Sequence, residues 1–202
     1  MTEYERMING RYYRVNDQLR EMSRRCREFV YEFNSSSWDS AEYRIKLVKD
    51  IFGHVGKKYS ILQTFKCTYG INIYIGENFF ANHDCVFLDA GEITIGDNVL
   101  LGPRTMLMTA AHPLDNEVRN AKFEFARSIR IGNDVWLGGG TIVNPGITIG
   151  SNVIIGSGSV VTHDIPEGVI AVGNPCRILR PIAEQDIIQC KIKLDEYFQE
   201  SS

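Results

Sequence analysis

The chain has 202 residues, with 22 Lys and Arg against 25 Asp and Glu and a formal charge of −3, which argues against a general nucleic-acid binder because backbone binding needs a concentrated positive surface. A chain of about 150 residues already buries roughly 70% of its extended surface, so one principal domain without staples is expected. Five scattered cysteines with no CxxC pair (Cys26, Cys67, Cys85, Cys176 and Cys190) argue against a disulfide scaffold or thiolate zinc site; with no signal-like start and no apolar run of about 18 residues, a cytoplasmic protein off the membrane is expected.

Residues 1–57 are polar and rich in long side chains. In NDQLREMSRRCREFVYEFN, Leu19, Met22, Cys26, Phe29 and Phe33 recur at steps of three or four, along one helical face. Asn16 or Asp17 is placed to cap that helix. A second helix is predicted from Ser40 to Phe52, with Tyr43, Leu47, Val48 and Ile51 as its stripe and Gly53 or Gly56 as its stop. This reads as a helical cap lying against something larger.

From about Ile71 another period takes over. Ile131, Leu137, Val143, Ile149, Ile155 and Val161 are spaced by six, in IGNDVW, LGGGTI, VNPGIT, IGSNVI, IGSGSV and VTHDIP. The rhythm also runs upstream through IGENFF and ANHDCV and, after a two-residue offset at Ala90 to Glu92, through IGDNVL and LGPRTM. Six is not a helical period, since a helix returns every 3.6 residues. It suits a short strand and a corner, with an aliphatic pointing inward and glycine or asparagine turning the chain. Three such units make one coil of a triangular prism, about 18 residues long, stacked on the next at about 4.8 Å. The fold is therefore expected to be mainly β, a parallel β-helix over 58–181, with a helical cap at 1–57 and a C-terminal segment at 182–202. The coil ends expose unpaired backbone, and the cap and the segment from Ile182 to Phe198 are expected to cover them.

Between Leu107 and Ile129 no hexad fits, so MTAAHPLDNEVRNAKFEFARS, residues 108–128, must leave the coil and return. An excursion of that length is disordered or functional; Pro113, Phe123 and Phe125 suggest an ordered loop that reaches a neighbour. His112 stands near its start. A histidine is the usual general base near neutral pH, and no serine or cysteine has an obvious base beside it. Direct transfer to a hydroxyl is chemically simpler here than an acyl-enzyme route.

With these residues in view, the chain resembles the hexapeptide-repeat acyltransferases, and within them the maltose and galactoside O-acetyltransferases. The stretches that carry the resemblance are YEFN, TYGINIYIGENFFANHDCVFLD, ITIGDNVLLGPRTMLMTAAHP, RIGNDVWLGGGTIVNPGITIG and IIGSGSVVTHDIPEGVIAVGNPCRILR. The resemblance implies a left-handed parallel β-helix, a homotrimer with active sites between prisms, and acetyl-CoA as cosubstrate with no metal. It implies that His112 takes the proton of an acceptor hydroxyl as it attacks the thioester. Asn82 would help hold the acceptor or its hydroxyl, and Glu124 would orient the histidine or bind a sugar hydroxyl. Asp89 and Tyr69 match positions near the acceptor, although Ala90 stands where galactoside enzymes carry a second acid. Arg14 and Val15 replace the family's N-terminal acid, with Asp17 close by.

Trp136 would wall the pantetheine arm or the acceptor, Gly139 would offer backbone N–H groups to the developing oxyanion, and Gly158 and Ser159 would line the coenzyme channel. Arg177 and Arg180 supply guanidinium forks suited to phosphate. After Thr162, where the family has lysine or arginine, this chain has His163, which makes that phosphate contact weaker or pH-dependent. The expected activity is acetyl-CoA-dependent O-acetylation of a sugar. A xenobiotic acetyltransferase is the alternative within enzymes, though that group usually lacks the helical N-terminal region. A non-catalytic or metal-binding β-helix is the alternative outside them; His54, His83, His112 and His163 share no hexad phase that would stack them.

Overall fold

A computed structural model of the chain describes residues 1–200. Three helices open it. The first, α1 (Glu3–Ile8), was not anticipated from the sequence; it is set by a capping box in which Thr2 and Glu5 satisfy each other's backbone N–H groups. In α2 (Asp17–Ser35), Asn16 is the cap, its side chain accepting from Leu19 N at 3.0 Å. Leu19, Cys26, Phe29 and Phe33 form the buried face of α2, with Met22 packed beside Leu19's cluster. The third helix, α3 (Ala41–Ile51), ends at Phe52 rather than at a glycine.

Three parallel sheets then form a prism. The first face stacks His54–Val55, Ile73–Ile75, Ile93–Ile95, Ile129–Ile131 and Thr148–Ile149. The second stacks Tyr59–Ile61, Phe79–Ala81, Leu100–Leu101, Trp136–Leu137, Ile154–Ile155 and Val169–Val172. The third stacks Phe65–Cys67, Cys85–Leu88, Met106–Met108, Ile142–Val143 and Val160–Val161. The hexad aliphatics fall on successive faces: Ile131 stacks on Ile149, Leu137 on Ile155 and Val143 on Val161, and all are buried. Burying such a side chain contributes about 1.5–3 kcal/mol relative to leaving it exposed.

The coil length is not uniform. Asn133 N donates to Ser151 Oγ, 18 residues on, but in the earlier coils Asn78 Nδ2 donates to Asn98 Oδ1, 20 residues on. The additional residues lie at the corner between the third and first faces, near Thr68–Asn72 and Asp89–Glu92. Asn98 Nδ2 reaches Asp134 Oδ1 across 36 residues because the 108–128 excursion is inserted between their coils. One corner repeats a left-handed residue, with φ of 55° at Asn78, 57° at Asn98, 57° at Asp134 and 54° at Asn152. Asn and Asp tolerate that region, which explains the IGEN, IGDN, IGND and IGSN series. The glycine in each is also required: a Cβ on Gly96 would sit 2.2 Å from Asn133 Oδ1.

The two ends of the prism are closed differently. At the N-terminal end Asn34 of α2 makes paired hydrogen bonds to the edge strand, donating to Phe65 O at 2.8 Å and accepting from Phe65 N at 2.9 Å. At the other end the expected cover by 182–198 is corrected. The strand Arg177–Pro181 turns back antiparallel onto Val169–Val172 and supplies the missing backbone partners. Beyond it, α5 (Glu184–Glu200) has no buried residue. Among the described residues no helix is long and apolar enough to cross a membrane.

Candidate active site

The 108–128 segment leaves the third face after Met108 and is ordered by its own contacts. Asp115 caps the short helix α4 (Asn116–Asn120), its carboxylate accepting from Val118 N at 2.9 Å. The two stems form an antiparallel ribbon in which Ala110 pairs with Ala126 and Ala111 with Phe125. Continued by one residue, this register sets His112 across from Glu124. Directly opposed residues on antiparallel strands have side chains on one face, so His112, Glu124, Ala110 and Ala126 share a side of the ribbon. His112 is exposed, Glu124 half-buried and Ala126 buried.

That side of the ribbon rests on a second apolar core made of Met7, Tyr13, Leu19, Tyr69, Ala90 and Ala126. Tyr13 and Glu124 form an isolated antiparallel bridge: Tyr13 N donates to Glu124 O at 2.9 Å and Glu124 N to Tyr13 O at 3.0 Å. The Tyr13 hydroxyl also donates to Glu124 Oε2 at 2.9 Å. Burial first, then the nearby Glu124 carboxylate, raises the Tyr13 pKa. The same two causes, with Asp89 adding to them, push Tyr69 up to about 12.

Asp89 departs from the acceptor-side position expected of it. Its carboxylate is fully buried, with Oδ1 accepting from Thr68 N at 2.8 Å and Tyr69 N at 2.9 Å. Its backbone carbonyl accepts from Asn72 Nδ2, and Asn72 Oδ1 accepts from the Tyr4 hydroxyl at 3.0 Å. Asp89 therefore holds the turn that carries Tyr69 rather than facing an acceptor. Burial raises its pKa against the lowering effect of the backbone donors, and Oδ2 has no partner among the described residues.

A second group of site residues lies along the edge between the second and third faces. Asn82, Gly102, Gly138 and Gly156 follow the stacked residues Ala81, Leu101, Leu137 and Ile155. Asn82 is half-buried, its Oδ1 accepting from His83 N at 2.7 Å. Along this edge one side chain per coil closes the corner onto the carbonyl three residues before it. Thr105 donates to Gly102 O, Thr141 to Gly138 O and Ser159 to Gly156 O, while Cys85 Sγ contacts Asn82 O. Ser159 is thus a second correction: it is fully buried, and its hydroxyl also accepts from Gly173 N at 3.0 Å, so it does not line a channel. Gly139 O accepts from Gly158 N at 2.9 Å. Gly158 is exposed at φ +73°, and a Cβ there would meet nothing within 4 Å.

Trp136 stands on the second face between Leu100 and Ile154 and is half exposed. At the end of the prism His163, Cys176 and Arg177 line a cavity of about 480 Å³. His163 Nδ1 lies 2.9 Å from Thr162 Oγ1. Arg180 points elsewhere in this chain, its Nη2 donating to Asp186 Oδ1 of α5 at 3.0 Å. Asp17 opens α2 with its side chain 98% exposed and ion-paired to Arg20 at 2.7 Å. Among the described residues no cluster of three His, Cys, Asp or Glu side chains is placed to hold a metal ion. No local pattern singles out Tyr13, whose partner lies 111 residues away.

Known proteins share this arrangement. The maltose acetyltransferase hexapeptide capping motif matches residues 6–56, and the bacterial transferase hexapeptide repeat matches residues 128–163. The galactoside O-acetyltransferase of Escherichia coli K12 is 40% identical over 168 residues, 83% of this chain and 83% of its own length. A maltose O-acetyltransferase structure from Clostridium difficile 630 superposes with a TM-score of 0.90 at 48% identity, over 91% of this chain and 99% of that one. A galactoside acetyltransferase in complex with coenzyme A gives 0.89 at 40% identity, over 92% and 94%. The chain belongs to the hexapeptide-repeat acetyltransferases, in the group of the maltose and galactoside O-acetyltransferases.

Proposed function

We propose that the protein transfers the acetyl group of acetyl-CoA directly to a hydroxyl of a sugar, with His112 as general base. The observation that carries this reading is the placement of His112: an exposed imidazole one residue past a braced ribbon whose register, if continued, leads to the half-buried Glu124. In the reaction an imidazole nitrogen takes the hydroxyl proton as the sugar oxygen bonds to the thioester carbon. The tetrahedral oxyanion then collapses, the C–S bond breaks, and the imidazolium returns the proton to the departing thiolate. Glu124 would orient the imidazole or bind a neighbouring hydroxyl, and Asn82 and Tyr69 would help shape the acceptor side.

The coenzyme fits the residues present. Open space beside Gly158 leaves room for a thin pantetheine arm, Trp136 offers an exposed indole wall, and the cavity at His163 and Arg177 suits phosphate. The galactoside acetyltransferase solved with coenzyme A supports the same choice of donor. Backbone N–H groups around Gly139 are the candidates for oxyanion stabilisation.

A homotrimer is part of this proposal. The second face carries an outward column of Phe80, Leu100, Trp136 and Ile154, and the third carries Val86, Met106, Ile142 and Val160, whereas the first presents Tyr74, Thr94, Arg130 and Thr148. Contiguous apolar columns on two of three faces mark contact surfaces, and Leu114 at the loop tip is 98% exposed. The test is His112→Ala with maltose, lactose and a panel of hexoses as acceptors. Turnover should fall about 10²- to 10⁴-fold while coenzyme A binding and the light-scattering mass of three protomers persist. Normal turnover in the variant would remove the base, and a single-protomer mass in an active sample would remove the trimer.

A further inference from the structure

We propose that Tyr13 is a positioning residue for the transfer, fixing the Glu124 carboxylate beside the His112 end of the ribbon. The inference rests on the reading of His112 as the base. Tyr13 is bound to Glu124 by three hydrogen bonds, two through the backbone and one from its hydroxyl to Oε2. The hydroxyl bond selects one arrangement of a side chain whose main chain is already clamped. Glu124 Oε1 accepts no hydrogen bond among the described residues, so one oxygen is pinned and the other is left to receive an imidazole N–H or an acceptor hydroxyl.

Several contacts hold Tyr13 itself. Its ring is buried in the cluster with Met7, Leu19 and Tyr69. On either side, Arg14 N donates to Glu3 Oε2 at 2.6 Å, and Tyr12 packs its ring 5.9 Å from that of Phe125. A phenylalanine would fill the same space, so packing alone does not require the hydroxyl. A hydrogen bond to a carboxylate from a buried donor is also directional, which makes it suited to setting a rotamer. With its pKa raised by burial and by Glu124, Tyr13 remains a proton donor throughout any practical assay range. The helical cap would thereby act on the chemistry through one side chain, without itself touching the reacting atoms.

The experiment compares Tyr13→Phe, Glu124→Gln, the double variant and His112→Ala with wild type. Activity is read as coenzyme A thiol release with the best acceptor from the hexose and disaccharide panel, and as the background transfer to water. Tyr13→Phe should lower kcat about 10- to 100-fold, the worth of a hydrogen bond to a charged group. KM for acetyl-CoA and the melting temperature should stay near the wild-type values. In the Glu124→Gln background the same change should add no further loss, because the tyrosine acts through that carboxylate. Unchanged kcat in Tyr13→Phe overturns the inference, as do losses that multiply in the double variant or that track a fall in melting temperature. If His112→Ala keeps full turnover, it is the reading of the base that fails. If His112→Ala is inactive and Tyr13→Phe is normal, only the role of Tyr13 fails.

Discussion

Cys26 on α2 and Cys67 on the first coil face each other across the joint between cap and prism, with their sulfurs 3.3 Å apart. That is contact distance for two thiols and well beyond the roughly 2.05 Å of a disulfide. Burial pushes the Cys67 thiol well up, with Cys26 adding to the effect, so little reactive thiolate forms there. Cys190, exposed on α5, should react promptly with a thiol reagent in the native protein, whereas Cys26, Cys67, Cys85 and Cys176 should react only after unfolding. Mass mapping after timed alkylation checks this. Two thiols still missing after unfolding without reductant would mean that the pair had closed to a disulfide.

Adjacent residues on the second face should behave oppositely. Leu137 is fully buried in the stacked core and Trp136 is half exposed. Leu137→Ala should cost about 2–5 kcal/mol from lost burial and cavity formation. Trp136→Ala should leave the stacked core intact and weaken coenzyme A binding. Urea midpoints and calorimetry on both variants separate the two roles.

The proposed channel has a direct test at Gly158. Asparagine tolerates its left-handed φ of +73°, so Gly158→Asn should keep the fold while projecting a side chain into the open space. Coenzyme A affinity should fall by about tenfold or more, some 1.4 kcal/mol. An unchanged dissociation constant would place the pantetheine arm elsewhere.

At the end of the prism the two arginines should not be equivalent. Arg177 lines the cavity with His163, whereas Arg180 is held by Asp186, whose pKa it lowers. Arg177→Ala should weaken coenzyme A binding roughly 10- to 100-fold, and Arg180→Ala should have a smaller effect. Asp186→Asn should release Arg180 and tighten binding. Calorimetry with coenzyme A and dephospho-coenzyme A reports which phosphate is involved; a larger loss in Arg180→Ala than in Arg177→Ala would reverse the assignment.

Alkaline stability follows from the buried thiols. Burial pushes Cys85 up to about 11. A thiol whose folded pKa lies above its unfolded value near 9 holds its proton more tightly when folded. Its contribution is therefore complete below about pH 9 and is lost as pH rises through about 11. Urea midpoints measured from pH 8 to 11 should decline, and the decline should be shallower in Cys85→Ala, whatever that variant's stability at neutral pH. Parallel slopes would show that Cys85 does not titrate with unfolding.

The hexad period by itself determined the prism, because a repeat that returns every six residues has to place Ile131, Leu137 and Val143 on three successive faces. The α2 stripe was equally legible, since helical spacing forces Leu19, Cys26, Phe29 and Phe33 to one side. His112 could be singled out because it breaks the rhythm. Other roles depended on tertiary contacts that no local pattern encodes. Asp89 and Ser159 look like site residues in the chain, yet Asp89 Oδ1 and the Ser159 hydroxyl are turned inward to satisfy backbone groups at corners. The end of the prism is closed by Arg177–Pro181 rather than by α5, because only a strand offers the row of backbone partners that an open sheet edge lacks. The contact between Tyr13 and Glu124 joins residues 111 positions apart. It exists because the cap folds back over the root of the loop, a relation set by long-range packing rather than by spacing.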